Sequence, residues 1–113
     1  NASVEGSSHT LSITRAVSFI ENNYTEDITL EMLSDLSNMA KNSLINSFKK
    51  NLNTTPVNYI NALRLKKACE LLYNTNNSIT EIAYSVGFKD SNYFSRTFKK
   101  HMGISPGKFR KGS

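Results

Sequence analysis

Cysteine occurs once in the 113 residues, as Cys69, so no disulfide can close within the chain. A lone thiol suits a reducing compartment. No apolar run approaches the roughly 20 residues needed to span a bilayer, so no transmembrane helix is expected. Proline (two) and glycine (five) are scarce, and no stretch alternates apolar and polar residues as a half-buried strand would. Together these absences point to an all-α fold. Enzyme signatures are missing as well: there is no glycine-rich phosphate loop, no Cys/His cluster at metal-ligand spacing and no nucleophile beside a base. The chain is therefore read as a non-enzyme with no cofactor and no metal site.

Acidic residues are few beyond residue 40. The first 40 residues hold one basic and six acidic side chains, a net of −5, whereas residues 41–113 hold thirteen basic and three acidic, a net of +10. Such segregation suits a basic face offered to a polyanion. A basic helical module that meets an acidic protein partner would carry the same signature, and it stands as the alternative reading.

Within this background the stretch Ser78–Lys100 stands out. Ser78 caps a helix over Ile79–Ser85, and Glu81 at the third helical position completes a capping box. Gly87 makes a turn and Phe88 fills the space beneath it. Asp90 or Ser91 caps a second helix that runs to about Met102, where Gly103 stops it. That helix places Phe94 and Phe98 on one face and Ser91, Asn92, Ser95, Arg96 and Lys99 on the other. A short helix, a tight turn and a polar-faced helix ending in basic residues is the layout of a helix-turn-helix.

The remaining chain follows the same logic. Residues 1–10 are small and polar and are expected to form a disordered tail, or one left by cloning. The chain does not begin with Met, so Asn1-Ala2 reads as a cut end of a longer protein. A helix is expected over Leu11–Tyr24, with Ile13, Ala16, Val17 and Ile20 inward. Thr29 caps a helix over Leu30–Ser37, for which Leu30, Leu33 and Leu36 form the apolar stripe. Ser37-Asn38-Met39 is its turn, because Asn tolerates the left-handed conformation. Lys41–Asn51 follows with Leu44 and Phe48 inward. Thr55 and Pro56 open the longest helix, to about Tyr73, with the inward stripe Leu65, Ala68, Cys69 and Leu72. Cys69 on that stripe reads as a small core residue. Ser105-Pro106 starts a last short turn through Arg110.

The chain also repeats itself. Phe48-Lys49-Lys50 recurs fifty positions on as Phe98-Lys99-Lys100, Thr55-Pro56 as Ser105-Pro106, and Tyr59 as Phe109. Leu30, Leu33, Ser34, Asn38 and Met39 match Ile79, Ile82, Ala83, Gly87 and Phe88 at an offset one shorter, so the second turn holds one extra residue. Two helix-turn-helix units are expected, about 29–51 and about 78–101, joined by a linker helix of about 56–73. A helix of that length spans about 27 Å, and with its capping turns it can hold two reading helices near the roughly 34 Å between successive major-groove faces on one side of B-DNA.

These residues carry a resemblance to the AraC/XylS family of bacterial transcriptional regulators, in its DNA-binding domain. It rests on Arg64-Leu65, Ala68 and Leu71-Leu72, on Ser78-Ile79-Thr80-Glu81-Ile82-Ala83, and on Val86-Gly87-Phe88 with Asp90-Ser91. It continues through Tyr93-Phe94-Ser95-Arg96, Phe98-Lys99-Lys100 and Gly103-Ile104-Ser105-Pro106. It covers residues 11–111 and is more specific in the second half. Where the family has a Leu-Gly-Met turn this chain has Ser37-Asn38-Met39, and Asn46 stands where an Arg is common. The resemblance implies sequence-specific binding of a double-stranded DNA operator by both units and regulation of transcription. It also implies a sensing or dimerising domain before Asn1, RNA polymerase as a partner, and a bacterial protein of the cytoplasm, on the nucleoid when bound.

Base reading falls to the outward face of each second helix. The candidates are Asn42, Ile45 and Asn46 in the first unit and Ser91, Asn92, Ser95 and Arg96 in the second. Arg96 has the fork for guanine O6 and N7, Asn92 the amide for adenine, and Ile45 an apolar surface for a thymine methyl. Backbone phosphates fall to Lys41, Lys49, Lys50, Lys89, Lys99 and Lys100.

Overall fold

The computed structural model describes residues 2–112. It contains seven helices and, among the described residues, no strand: α1 (Ala2–Asn23), α2 (Leu30–Ser37), α3 (Lys41–Leu52), α4 (Pro56–Asn74), α5 (Ile79–Ser85), α6 (Ser91–Met102) and α7 (Pro106–Gly112). The all-α class and the order of elements follow the sequence pattern. One boundary does not. The polar stretch read as a tail continues α1 back to Ala2. It contains no proline, and extending an existing helix needs no new nucleus. Asn1 lies outside the described residues. The chain divides into two compact units, one through Ile60 and one from Asn61.

In the first unit Ile13, Ala16 and Ile20 of α1 are buried with Leu33 of α2, Leu44 and Phe48 of α3, and Ile60. The α2 stripe departs from expectation. Leu33 and Ser37 are buried, whereas Leu36 is 40% exposed. Leu33 and Ser37 are four apart and nearly eclipse one another along the helix, which swings Leu36 outward. The buried Ser37 hydroxyl is satisfied locally, donating to the Ser34 carbonyl at 3.3 Å. Leu36 instead lines an open surface groove of about 450 Å³ with Phe19, Arg15 and Asn22 of α1. Tyr59, near the start of α4, donates from its hydroxyl to Glu21 Oε2 at 3.0 Å.

The second unit is built on an aromatic ladder. Phe88 and Phe94 have ring centres 5.1 Å apart, Phe94 and Phe98 5.7 Å, and Phe98 and Phe109 5.5 Å. Leu65, Ala68 and Leu72 of α4 and Ile82, Ala83 and Val86 around α5 complete the core. The capping box at α5 forms as the sequence predicts: Glu81 N–H donates to Ser78 Oγ at 3.0 Å and Ser78 N–H to Glu81 Oε1 at 2.9 Å. Hydrogen bonds donated by Ser78, its backbone N–H first, hold the Glu81 carboxyl below its ordinary value.

The repeat seen in the sequence is a repeat of hydrogen bonds. Asn38 (φ 56°) and Gly87 (φ 109°) both sit at positive φ. One residue on, Met39 N–H reaches the Ser34 carbonyl at 3.1 Å and Phe88 N–H reaches that of Ala83 at 3.0 Å. This bond from beyond the left-handed residue back into the last turn closes both helices alike. The second helices also end alike, at Asn53 and Gly103, whose N–H groups return to Lys49 and Lys99. Thr55 and Ser105 then cap α4 and α7, accepting from the N–H groups of Asn58 and Lys108 at 3.2 and 3.3 Å. Even the edge-on contact of Phe48 with Tyr59 (73° between planes) returns as Phe98 with Phe109 (77°).

Candidate nucleic-acid interface

In α6 the core claims Phe94, Thr97 and Phe98. Helical periodicity then leaves Asn92, Arg96, Lys99 and Lys100 exposed on the opposite side, with Ser91 and Ser95 half-buried at its margin. Lys89 is exposed immediately before the cap. Asp90 accepts from the N–H groups of Asn92 at 2.7 Å and Tyr93 at 3.2 Å, which anchors the first turn. At the other end Lys99, Lys100 and His101 complement the negative pole of the helix. The sequence-predicted residues of α6 therefore share one cationic face backed by an aromatic core.

In α3 the core claims Leu44 and Phe48. Asn42, Asn46, Lys49 and Lys50 are exposed, and Ile45 is half-buried. Asn42, Ile45, Asn46 and Lys49, spaced i, i+3, i+4 and i+7, share a face. The helix begins differently from α6, because Ala40 at its N-cap offers no side-chain hydrogen bond. Lys41 is engaged with Glu31 at 3.8 Å, an ion pair whose partners are 54% and 75% exposed. Exposed pairs of this kind contribute about 0–1 kcal/mol, so the ammonium can exchange Glu31 for another anion at little cost.

Three features lie outside the sequence reading of the site. Tyr93 of α6 receives a hydrogen bond at its hydroxyl from Asn61 Nδ2 of α4, at 3.1 Å. Arg64 places its guanidinium carbon 5.6 Å from the centre of the Phe88 ring, within cation–π range. Arg110 of α7 donates to the carbonyl of Leu72 in the last turn of α4 and to that of Thr75 just beyond it. A signal for Asn61 was present: it heads the inward spacing that continues through Leu65, Ala68 and Leu72, where an amide is out of place unless it has a partner. Cys69 is half-buried, and burial followed by the neighbouring Glu70 charge pushes its thiol above the ordinary value. It is accordingly a packed thiol with little thiolate character. Among the described residues no cluster of three or more His, Cys, Asp or Glu could hold a metal ion, and no helix is long and apolar enough to cross a membrane.

Comparison with known proteins adds to this geometry. Residues 33–112 match the family described as a helix-turn-helix domain. The chain is 35% identical over 100 residues to the HTH-type transcriptional activator RhaS of Enterobacter sp. (strain 638), covering 88% of this chain and 36% of that protein. It therefore spans little more than a third of the relative's length. The C-terminal domain of AraT, a response regulator from Geobacillus stearothermophilus, superposes with a TM-score of 0.84 at 34% identity, over 90% of this chain and 85% of that one. A transcriptional regulator from Chromobacterium violaceum, described among AraC-type DNA-binding domain-containing proteins, superposes with a TM-score of 0.78 at 32% identity, over 98% and 95%.

Proposed function

The chain belongs to the AraC/XylS family of helix-turn-helix transcriptional regulators, and from that premise we propose that it binds double-stranded DNA sequence-specifically and so regulates transcription. Each unit offers one reading helix to a major-groove segment, α3 in the first and α6 in the second. The observation that carries this reading is the division of α6: its apolar side chains are buried, while Asn92, Arg96, Lys99 and Lys100 stand exposed together. A guanidinium and a carboxamide on a rigid helix are the donors that read guanine and adenine edges, and the lysines meet phosphates.

In the second unit Arg96 and Asn92 are the main base readers, with Ser91 and Ser95 beside them. In the first, Asn42 and Asn46 read bases and Ile45, half-buried, adds an apolar margin. Lys49, Lys50, Lys89, Lys99 and Lys100 hold the backbone, and Lys41 joins them when it leaves Glu31. The complete protein carries a sensing or dimerising domain, works in the bacterial cytoplasm and has RNA polymerase as a partner. In-vitro selection of duplexes from a random library tests the central claim. Two preferred blocks about one helical turn apart would mean that both units read bases. Recovery of no preferred sequence, with binding only to acidic proteins, would overturn it in favour of a basic protein-interaction module.

A further inference from the structure

Tyr93 lies three residues before Arg96 and seven before Lys100, so the three line one edge of α6. That edge borders the buried side formed by Phe94, Thr97 and Phe98, yet Tyr93 remains 41% exposed. Two contacts hold it. Its ring packs on Phe88, with centres 5.9 Å apart and planes tilted by 53°. Its hydroxyl accepts from Asn61 Nδ2 at 3.1 Å. Asn61 is only 5% exposed, at a position on α4 where an aliphatic side chain would add to the core. A buried amide costs stability unless its hydrogen bonds are met. Here the amide spends a donor on one phenol oxygen.

A phenol hydroxyl has one hydrogen to donate and two lone pairs. With a lone pair taken by Asn61, the hydroxyl keeps its hydrogen for another acceptor, and Tyr93 shares an edge of α6 with Arg96 and Lys100. We propose, resting on the DNA-binding reading above, that Tyr93 is a backbone contact of the second unit. Its hydroxyl donates to a phosphate oxygen beside the groove that α6 enters, and Asn61 is the positioning residue that holds it there. A neutral donor fixed at both ring and oxygen sets the register of the helix on the duplex. A flexible lysine contributes charge with less directional constraint.

The probe is a duplex selected in vitro by the wild-type protein, with each phosphate replaced in turn by an uncharged methylphosphonate. Tyr93→Phe is expected to bind the unmodified duplex about tenfold more weakly, with its salt slope unchanged because no charge is lost. It should also be indifferent to methylphosphonate at one position that weakens the wild type about tenfold, while the positions held by lysines keep their penalties. Asn61→Ala should reduce the penalty at that same position and add nothing when combined with Tyr93→Phe. If both variants lower the melting temperature but keep every wild-type methylphosphonate penalty, the pair is structural only and the inference is overturned. If the wild type binds no duplex in the library, the DNA-binding reading fails and takes this one with it.

Discussion

Arg110 donates from Nε to the carbonyl of Leu72 at 3.1 Å, 38 residues back along the chain. A second donor, Nη2, reaches the Thr75 carbonyl at 3.2 Å. The last carbonyls of a helix have no partner within it and carry its negative pole, so the guanidinium closes α4 in both senses. It also ties α7 to the end of α4.

Replacing Arg110 with Ala should lower the stability of the second unit by about 1–2 kcal/mol, read as a lower denaturant midpoint. Arg110→Lys should recover only part of the loss, because one ammonium cannot reproduce a fork across two carbonyls. Full recovery by Lys would mean that charge alone matters at this position.

Asn38 takes the left-handed conformation that Gly87 takes in the other unit. Asn38→Ala should therefore cost about 1 kcal/mol, the penalty for placing an ordinary side chain at positive φ. Asn38→Gly should be tolerated within a few tenths to about 1 kcal/mol. Thermal unfolding of the three proteins checks the order, and an Ala variant as stable as the parent would show that the turn relaxes to another conformation.

The capping box gives α5 a pH dependence. Hydrogen bonds from Ser78 lower the Glu81 pKa in the folded state. The sign follows from linkage: the contribution is fully present above the ordinary carboxyl value of the unfolded chain and fades as pH falls through the depressed folded value. Glu81→Gln should remove this component of the acid limb, and Ser78→Ala should cost about 1 kcal/mol at neutral pH. Denaturation midpoints measured from neutral to acidic pH test both, and an acid limb unchanged in Glu81→Gln would contradict the linkage.

Arg96 and Lys99 stand on the same face but should fail differently. Arg96→Ala should cost about 1–3 kcal/mol on the preferred duplex and relax preference at one base position. Lys99→Ala should weaken all duplexes alike and reduce the salt slope by about one. Equal loss on every sequence for Arg96→Ala would place it on the backbone, and an unchanged slope for Lys99→Ala would remove Lys99 from it.

Much of this architecture is local and therefore legible in residue order. Thr29, Ser78 and Asp90 announce helix starts because their short side chains reach N–H groups two or three residues on. Asn38, Gly87 and Gly103 announce stops because each takes a positive φ. Spacing of Leu44 with Phe48 and of Phe94 with Phe98 settles which faces turn inward, and so leaves Asn42, Asn46, Asn92 and Arg96 outward. The internal repeat is legible for the same reason, since equal local signals make equal turns.

Tertiary structure decided what local signals leave degenerate. Leu33, Leu36 and Ser37 could satisfy more than one inward face. Packing of α2 against α1 and α3 chose the one that buries a serine and exposes a leucine, because a helix presents a single angle to its neighbours. The polar residues before Leu11 carry no apolar stripe, yet α1 runs through them because nothing in them stops a helix already begun. The partners of Arg110 and Asn61 lie 38 and 32 positions away. No periodicity links such residues; only the packing of α7 and α6 against α4 brings each donor within reach of its oxygen.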